Sequence, residues 1–162
     1  IFAPSSIATA PLIIQQAREL GITATIMAGD TWENSSIIEN AGEHAEGVVL
    51  STFYDEADPA TEEAKSFVNG FKEFLKENKQ SEIIPAVSAL GYDAYLVALE
   101  AIKQAGSTDS TAIRDALAKV EIDAVTGHIS FDENGDAKKD LAFIKQVKDG
   151  AFQFLKTVTI AD

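Results

Sequence analysis

The chain has 162 residues, 46% hydrophobic and 24% charged, which is an ordinary globular composition and long enough for a core. Thirteen basic against 26 acidic side chains give a formal net charge of −13. That balance argues against nucleic acid and anionic membrane surfaces as partners, because both demand basic patches. There is no cysteine, so disulfides and thiolate chemistry are excluded. No run of about 18 apolar residues is present to span a membrane.

Ile1-Phe2-Ala3 reads as the tail of a strand, and Pro4-Ser5-Ser6 as a loop. No basic region precedes them, so they do not form a signal peptide. A start in mid-strand leads us to expect a piece of something longer. A helix follows over 8–20, with Ala10, Ile13, Ile14, Ala17 and Leu20 on one face. Residues 24–27 form a short buried strand running into a loop that holds Asp30 and the single tryptophan, Trp32. A short helix from Ser35 or Ser36 to Ala41 ends at Gly42, and 47–53 is the next strand. The first third is therefore β-α-β-α-β, the pattern of a parallel sheet with right-handed crossovers.

Asp58 and Pro59 open a long helix to about Asn78, its apolar face running from Ala60 through Phe67, Phe71 and Phe74 to Leu75. Residues 86–105 form the most apolar helix, expected to be buried on more than one side. Asp109 or Ser110 caps another helix, to Val120. The period then changes to alternation at 127–131, 141–147 and 152–160. Asn134-Gly135 lies between the first two of these strands, and Asp149-Gly150 between the last two. Both pairs are tight-turn signals, so the chain is expected to end as an antiparallel meander.

In open α/β sheets, ligands settle beyond the carboxyl ends of the strands. The loops 4–7, 28–32 and 53–58 all follow parallel strands and share that edge. Asp30 is then a candidate contact for a positively charged ligand group, set against the role of a turn or helix cap. Trp32, Phe53 and Tyr54 could wall an apolar pocket or simply pack over the sheet edge. The acids Glu43, Glu46, Asp55, Glu56 and Asp58 read as solvated or capping. The turn 132–136 lacks the spaced ligands of a calcium loop and reads as a hairpin turn. His44 and His128 lie in no catalytic spacing, and no phosphate-binding glycine motif is present. No cofactor or metal is expected.

Several segments, in this order and spacing, carry a resemblance: Ile1-Phe2-Ala3-Pro4 with Gln15-Gln16-Ala17-Arg18-Glu19-Leu20-Gly21; Gly29-Asp30-Thr31-Trp32; Ala41-Gly42-Glu43-His44-Ala45-Glu46-Gly47-Val48; Gly91-Tyr92-Asp93-Ala94-Tyr95; and Thr126-Gly127-His128-Ile129-Ser130-Phe131. The chain resembles the C-terminal half of the branched-chain amino-acid type of periplasmic binding protein, the type I solute receptors of ABC importers. The resemblance implies an α/β fold of two Rossmann-like lobes with three crossovers, of which this chain is an incomplete C-terminal portion. Residues 1–84 would form part of one lobe. Residues 85–122 would be helices returning to the other, and 123–162 the crossover and terminal antiparallel strands.

The same resemblance implies an extracytoplasmic receptor, periplasmic or anchored at the cell surface, that captures a small amino acid for a membrane permease. The resemblance implies a binding protein rather than an enzyme. Its complement is the N-terminal half or a second copy. An acid at the place of Asp30 takes the ligand's ammonium group in amino-acid-binding members. A tyrosine commonly stands in the loop that here holds Ser5 and Ser6, so this half of the pocket departs from the pattern. Ser88 lies in a crossing segment near the ligand. Trp32 could cover an apolar ligand side chain. A sensor domain of the same fold, or an α/β hydrolytic enzyme, is the competing reading.

Overall fold

The structure, a computed structural model, describes residues 1–57, 59, 61–80, 83–139 and 141–159. Its contacts divide into two units: 1–55 with 141–159, and the described residues from 56 to 139.

The first unit is built on a four-stranded sheet. Helix α1 (Ala10–Glu19) leads to strand β1 (Met27–Ala28), and α2 (Ser35–Ala41) leads to β2 (Val49–Thr52). Strand β1 pairs parallel with β2, and Phe2 bridges in parallel to Met27. The expected β-α-β-α-β order therefore holds. Both crossovers step across the sheet in the same direction, so right-handed connections put both helices on one face. There Ala10, Ile14, Ile37 and Ala41 pack with Ile26, Ala28, Val48, Leu50 and Val147. Asn34 starts α2 by accepting the Ser36 N–H, and Gly42 ends it at φ 59°. Leu20, assigned above to the buried face of α1, follows the last turn and is 78% exposed.

The second unit contains α3 (Glu62–Glu77), α4 (Ala86–Ala105) and α5 (Ser110–Leu117). Its three-stranded sheet is β3 (Ile122–Ala124), β4 (Gly127–Phe131) and β5 (Ala137–Lys138), antiparallel in that order. Val97, Ala101, Val120, Ala124 and Ile129 form its core. Thr61 caps α3, accepting the Ala64 N–H and donating to the Ala124 carbonyl. The expected caps and face residues Asp58 and Ala60 lie outside the described residues. By its contacts α3 groups with this unit rather than with residues 1–55.

Two expectations are corrected. Helix α4 buries one stripe, Ala86, Ala89, Asp93, Val97 and Ala101, while Val87, Tyr95 and Ile102 are exposed. Its composition is apolar, but this chain supplies neighbours to one side only. The terminal meander is also divided. The turn at 132–136 joins β4 to β5, not to the strand that follows. Strand β6 (Leu141–Lys148) instead pairs antiparallel with β2, and β7 (Ala151–Thr159) with β6, in the first unit. Asp149 and Gly150 do form the tight turn between them, at φ 54° and 72°.

Candidate functional site

The carboxyl ends of Phe2, β1 and β2 point to one edge of the first sheet, because all three run parallel. Three loops follow them: Ser5 to Ile7, Gly29 to Trp32, and Phe53 to Asp55. The second loop is a tight 3-10 turn, Asp30–Trp32, in which the Glu33 N–H donates to the Asp30 carbonyl at 2.9 Å. Asp30 itself is half-buried at the start of that turn. A carboxylate there can meet a cationic group while keeping some contact with water.

Trp32 lies elsewhere than the pocket-wall reading put it. It is 1% exposed, packed in the core with α1 and α2, and its Nε1–H donates to the Ser5 carbonyl at 3.0 Å. Tyr54 is likewise buried, at 2%. The Trp32 ring thus packs into the core instead of walling a pocket, and the Tyr54 side chain is buried as well. Trp32 thereby ties the second loop to the first.

The Ser6 carbonyl accepts the N–H groups of Thr9 and Ala10 at the start of α1, and its hydroxyl lies 3.1 Å from that of Thr9. Ser6 is exposed, whereas the Ser5 hydroxyl is buried with no hydrogen-bond partner among the described residues. The structure thus brings Ser5, Ser6, Asp30 and Trp32 to one sheet edge. Ser88 belongs to the second unit, in the first turn of α4, where its N–H donates to the Pro85 carbonyl at 2.9 Å.

Sequence reasoning missed a buried charge cluster at this edge. Lys145 of β6 pairs with Glu33, which follows the Asp30 turn, and with Asp55, which follows β2, at 2.9 Å for the latter. Thr52 Oγ1 donates to the second oxygen of Glu33 at 3.0 Å. All four side chains are buried. Asp55 is therefore a buried ion-pair partner rather than the solvated acid expected. Burial alone would lower the Lys145 pKa, but the Glu33 carboxylate and then Asp55 outweigh it and hold it above the ordinary lysine value. The ammonium thus stays charged through neutral pH. Its pairing is present below the ordinary lysine value and lost only as pH rises through the raised one. The available signal was a lysine in the inward register of an alternating strand, between Phe143 and Val147.

Glu46, read as solvated or capping, accepts the N–H groups of Asp149 and Gly150 at 3.1 and 2.7 Å and braces that turn. A cavity of about 430 Å³, lined by Arg18, Thr23, Thr25, Glu46 and Gln146, opens at the opposite edge, where the parallel strands begin. In the second unit the Asp132 carboxylate accepts the N–H groups of Asn134 and Asp136 within its own turn. No group of metal-ligating side chains is assembled among the described residues. No helix among them is long and apolar enough to cross a membrane.

The family model described as a periplasmic binding protein matches residues 1–151. A leucine-, isoleucine-, valine-, threonine- and alanine-binding protein of Pseudomonas aeruginosa is 30% identical over 130 residues, which is 78% of this chain and 32% of that protein. The solved leucine binding protein LivK of Thermotoga maritima superposes with a TM-score of 0.88 at 37% identity, covering 98% of this chain and 44% of that one. The branched-chain amino-acid transporter substrate-binding protein LivJ of Streptococcus pneumoniae, solved in complex with isoleucine, gives 0.82 at 25% identity, covering 99% and 44%. This chain thus spans about a third of the curated relative and under half of each of these solved ones. With its parallel core strands, its loops gathered at their carboxyl edge and these likenesses, the chain belongs to the periplasmic binding protein family and has the type I α/β fold over a partial length.

Proposed function

We propose that this chain is the C-terminal portion of an extracytoplasmic receptor that captures a small amino acid, branched-chain or related, for the membrane permease of an ABC importer. The observation that carries the reading is Asp30, a half-buried carboxylate on a rigid turn at the ligand edge of the sheet. An ammonium group leaving water needs such a partner. The loop of Ser5 and Ser6 lies at the same edge and adds hydroxyl groups. Ser88 enters on the resemblance alone, and the role of Trp32 is to hold the Ser5 loop. The receptor's other lobe, from an N-terminal half or a second copy, would supply the groups for the ligand carboxylate. Binding then stabilises a closed state that touches the ligand from both sides.

The test is calorimetric titration of the whole receptor with leucine, isoleucine and valine. Removing a charge-assisted hydrogen bond worth about 1.5–3 kcal/mol weakens affinity about 10- to 100-fold. Asp30→Ala is expected to do so for every amino acid that binds. Unchanged affinity would remove Asp30 from the site.

A further inference from the structure

Lys145 comes from neither a ligand-side loop nor a residue matched above to a ligand contact. Strand alternation puts it on the core face between Phe143 and Val147, directly across from Leu50. A cation on that face is costly unless paired. Its two partners come one from each of two ligand-side loops: Glu33 after β1 and Asp55 after β2. The β6–β7 register also shifts between Ile144 and Lys145, leaving Leu155 as the extra residue opposite. The bulged strand is β7, and such a bulge bends its own strand and raises the local twist of the pair.

We infer that Lys145 is a positioning residue for ligand recognition. It fixes the Asp30 turn through Glu33 and the loop after β2 through Asp55. The linkage is short. Glu33 closes the turn by donating its N–H to the Asp30 carbonyl, and its carboxylate is held at both oxygens, by Lys145 and by Thr52. Trp32, between Asp30 and Glu33, is pinned to the Ser5 carbonyl. The backbone that carries Asp30 is therefore anchored on both sides, and one buried ammonium connects it to the neighbouring loop. A carboxylate held in this way selects an ammonium by geometry as well as charge. Small misplacements of such a group are costly in binding and reactivity. This inference rests on the amino-acid reading above.

The experiment uses two variants of the whole receptor that keep the cluster's charge, Lys145→Arg and Thr52→Val. Each is titrated calorimetrically with L-leucine and with its α-hydroxy analogue, 2-hydroxy-4-methylpentanoate. Hydrogen exchange at the Trp32 and Glu33 amides, which donate to the Gly29 and Asp30 carbonyls, reports the turn. Both variants are expected to bind leucine about tenfold more weakly, with a much smaller loss for the hydroxy acid and faster exchange at the Trp32 and Glu33 amides. Unchanged leucine affinity in both variants overturns the inference, as does a parallel loss for both ligands that leaves their ratio unchanged. A wild-type receptor that binds no amino acid overturns the functional reading itself, and the inference with it.

Discussion

Asp93 offers the sharpest test of how the second unit is held together. It lies on the buried stripe of α4 at 2% exposure. Its carboxylate accepts the N–H of Val125 at 2.7 Å, the N–H of Thr126 at 2.8 Å and the Thr126 hydroxyl at 2.6 Å. Val125 and Thr126 are the two loop residues of the β3–β4 hairpin, closed by the Ala124–Gly127 pair. Two-residue hairpins favour turns with positive φ. Among the described residues outside glycine only Lys79 and Asp149 have it, so this loop runs through negative φ and depends on Asp93 as its acceptor. Asp93→Ala leaves two backbone N–H groups buried without partners. Each such group costs about 1–3 kcal/mol, giving a loss of about 2–6 kcal/mol. Denaturant unfolding measures the total. Hydrogen exchange at the Val125 and Thr126 amides locates it, with both expected to lose most of their protection. A loss below about 1 kcal/mol, or unchanged protection at both amides, would refute the argument that a distant carboxylate holds this turn.

Two further outcomes follow from the geometry. Trp32→Phe removes the donor to the Ser5 carbonyl and leaves a gap in a fully packed cluster, so stability should fall by about 2 kcal/mol. Thermal unfolding checks this, and a neutral effect would mean that the ring is not the tie between the first two loops. The His128 pKa is raised, chiefly by the hydrogen bond to Asp123, which outweighs desolvation, with Glu121 adding less. The protonated ring's contribution is then complete below about 6.5 and lost as pH rises through the raised value. An NMR titration should give a His128 midpoint above that of a free histidine, falling back in Asp123→Asn.

The local chemistry of the chain was readable where a signal and its consequence sit within a few residues. The short helix from Ser35 or Ser36 to Ala41 was legible with its end at Gly42, because a residue at positive φ acts on its own turn. Asp149-Gly150 makes its hairpin for the same reason. The β-α-β-α-β order was equally legible, and the parallel strands it implies fixed which edge carries the loops. Asp30 could therefore be placed at the carboxyl edge of the sheet without coordinates.

Only the tertiary structure could decide what depends on partners far along the chain. In the β3–β4 hairpin Gly127 supplies a positive φ of 104° after the two loop residues, but the acceptor for their N–H groups is Asp93, about 30 residues away. Lys145 and Glu33 are 112 residues apart, and nothing in either local sequence announces the other. The same separation hid the fate of Trp32, whose loop position suggested a ligand face while core packing took the ring inward. Turn and cap residues act locally and can be read from sequence. Buried charge must be compensated by whatever the fold brings alongside, and that is a property of the three-dimensional arrangement alone.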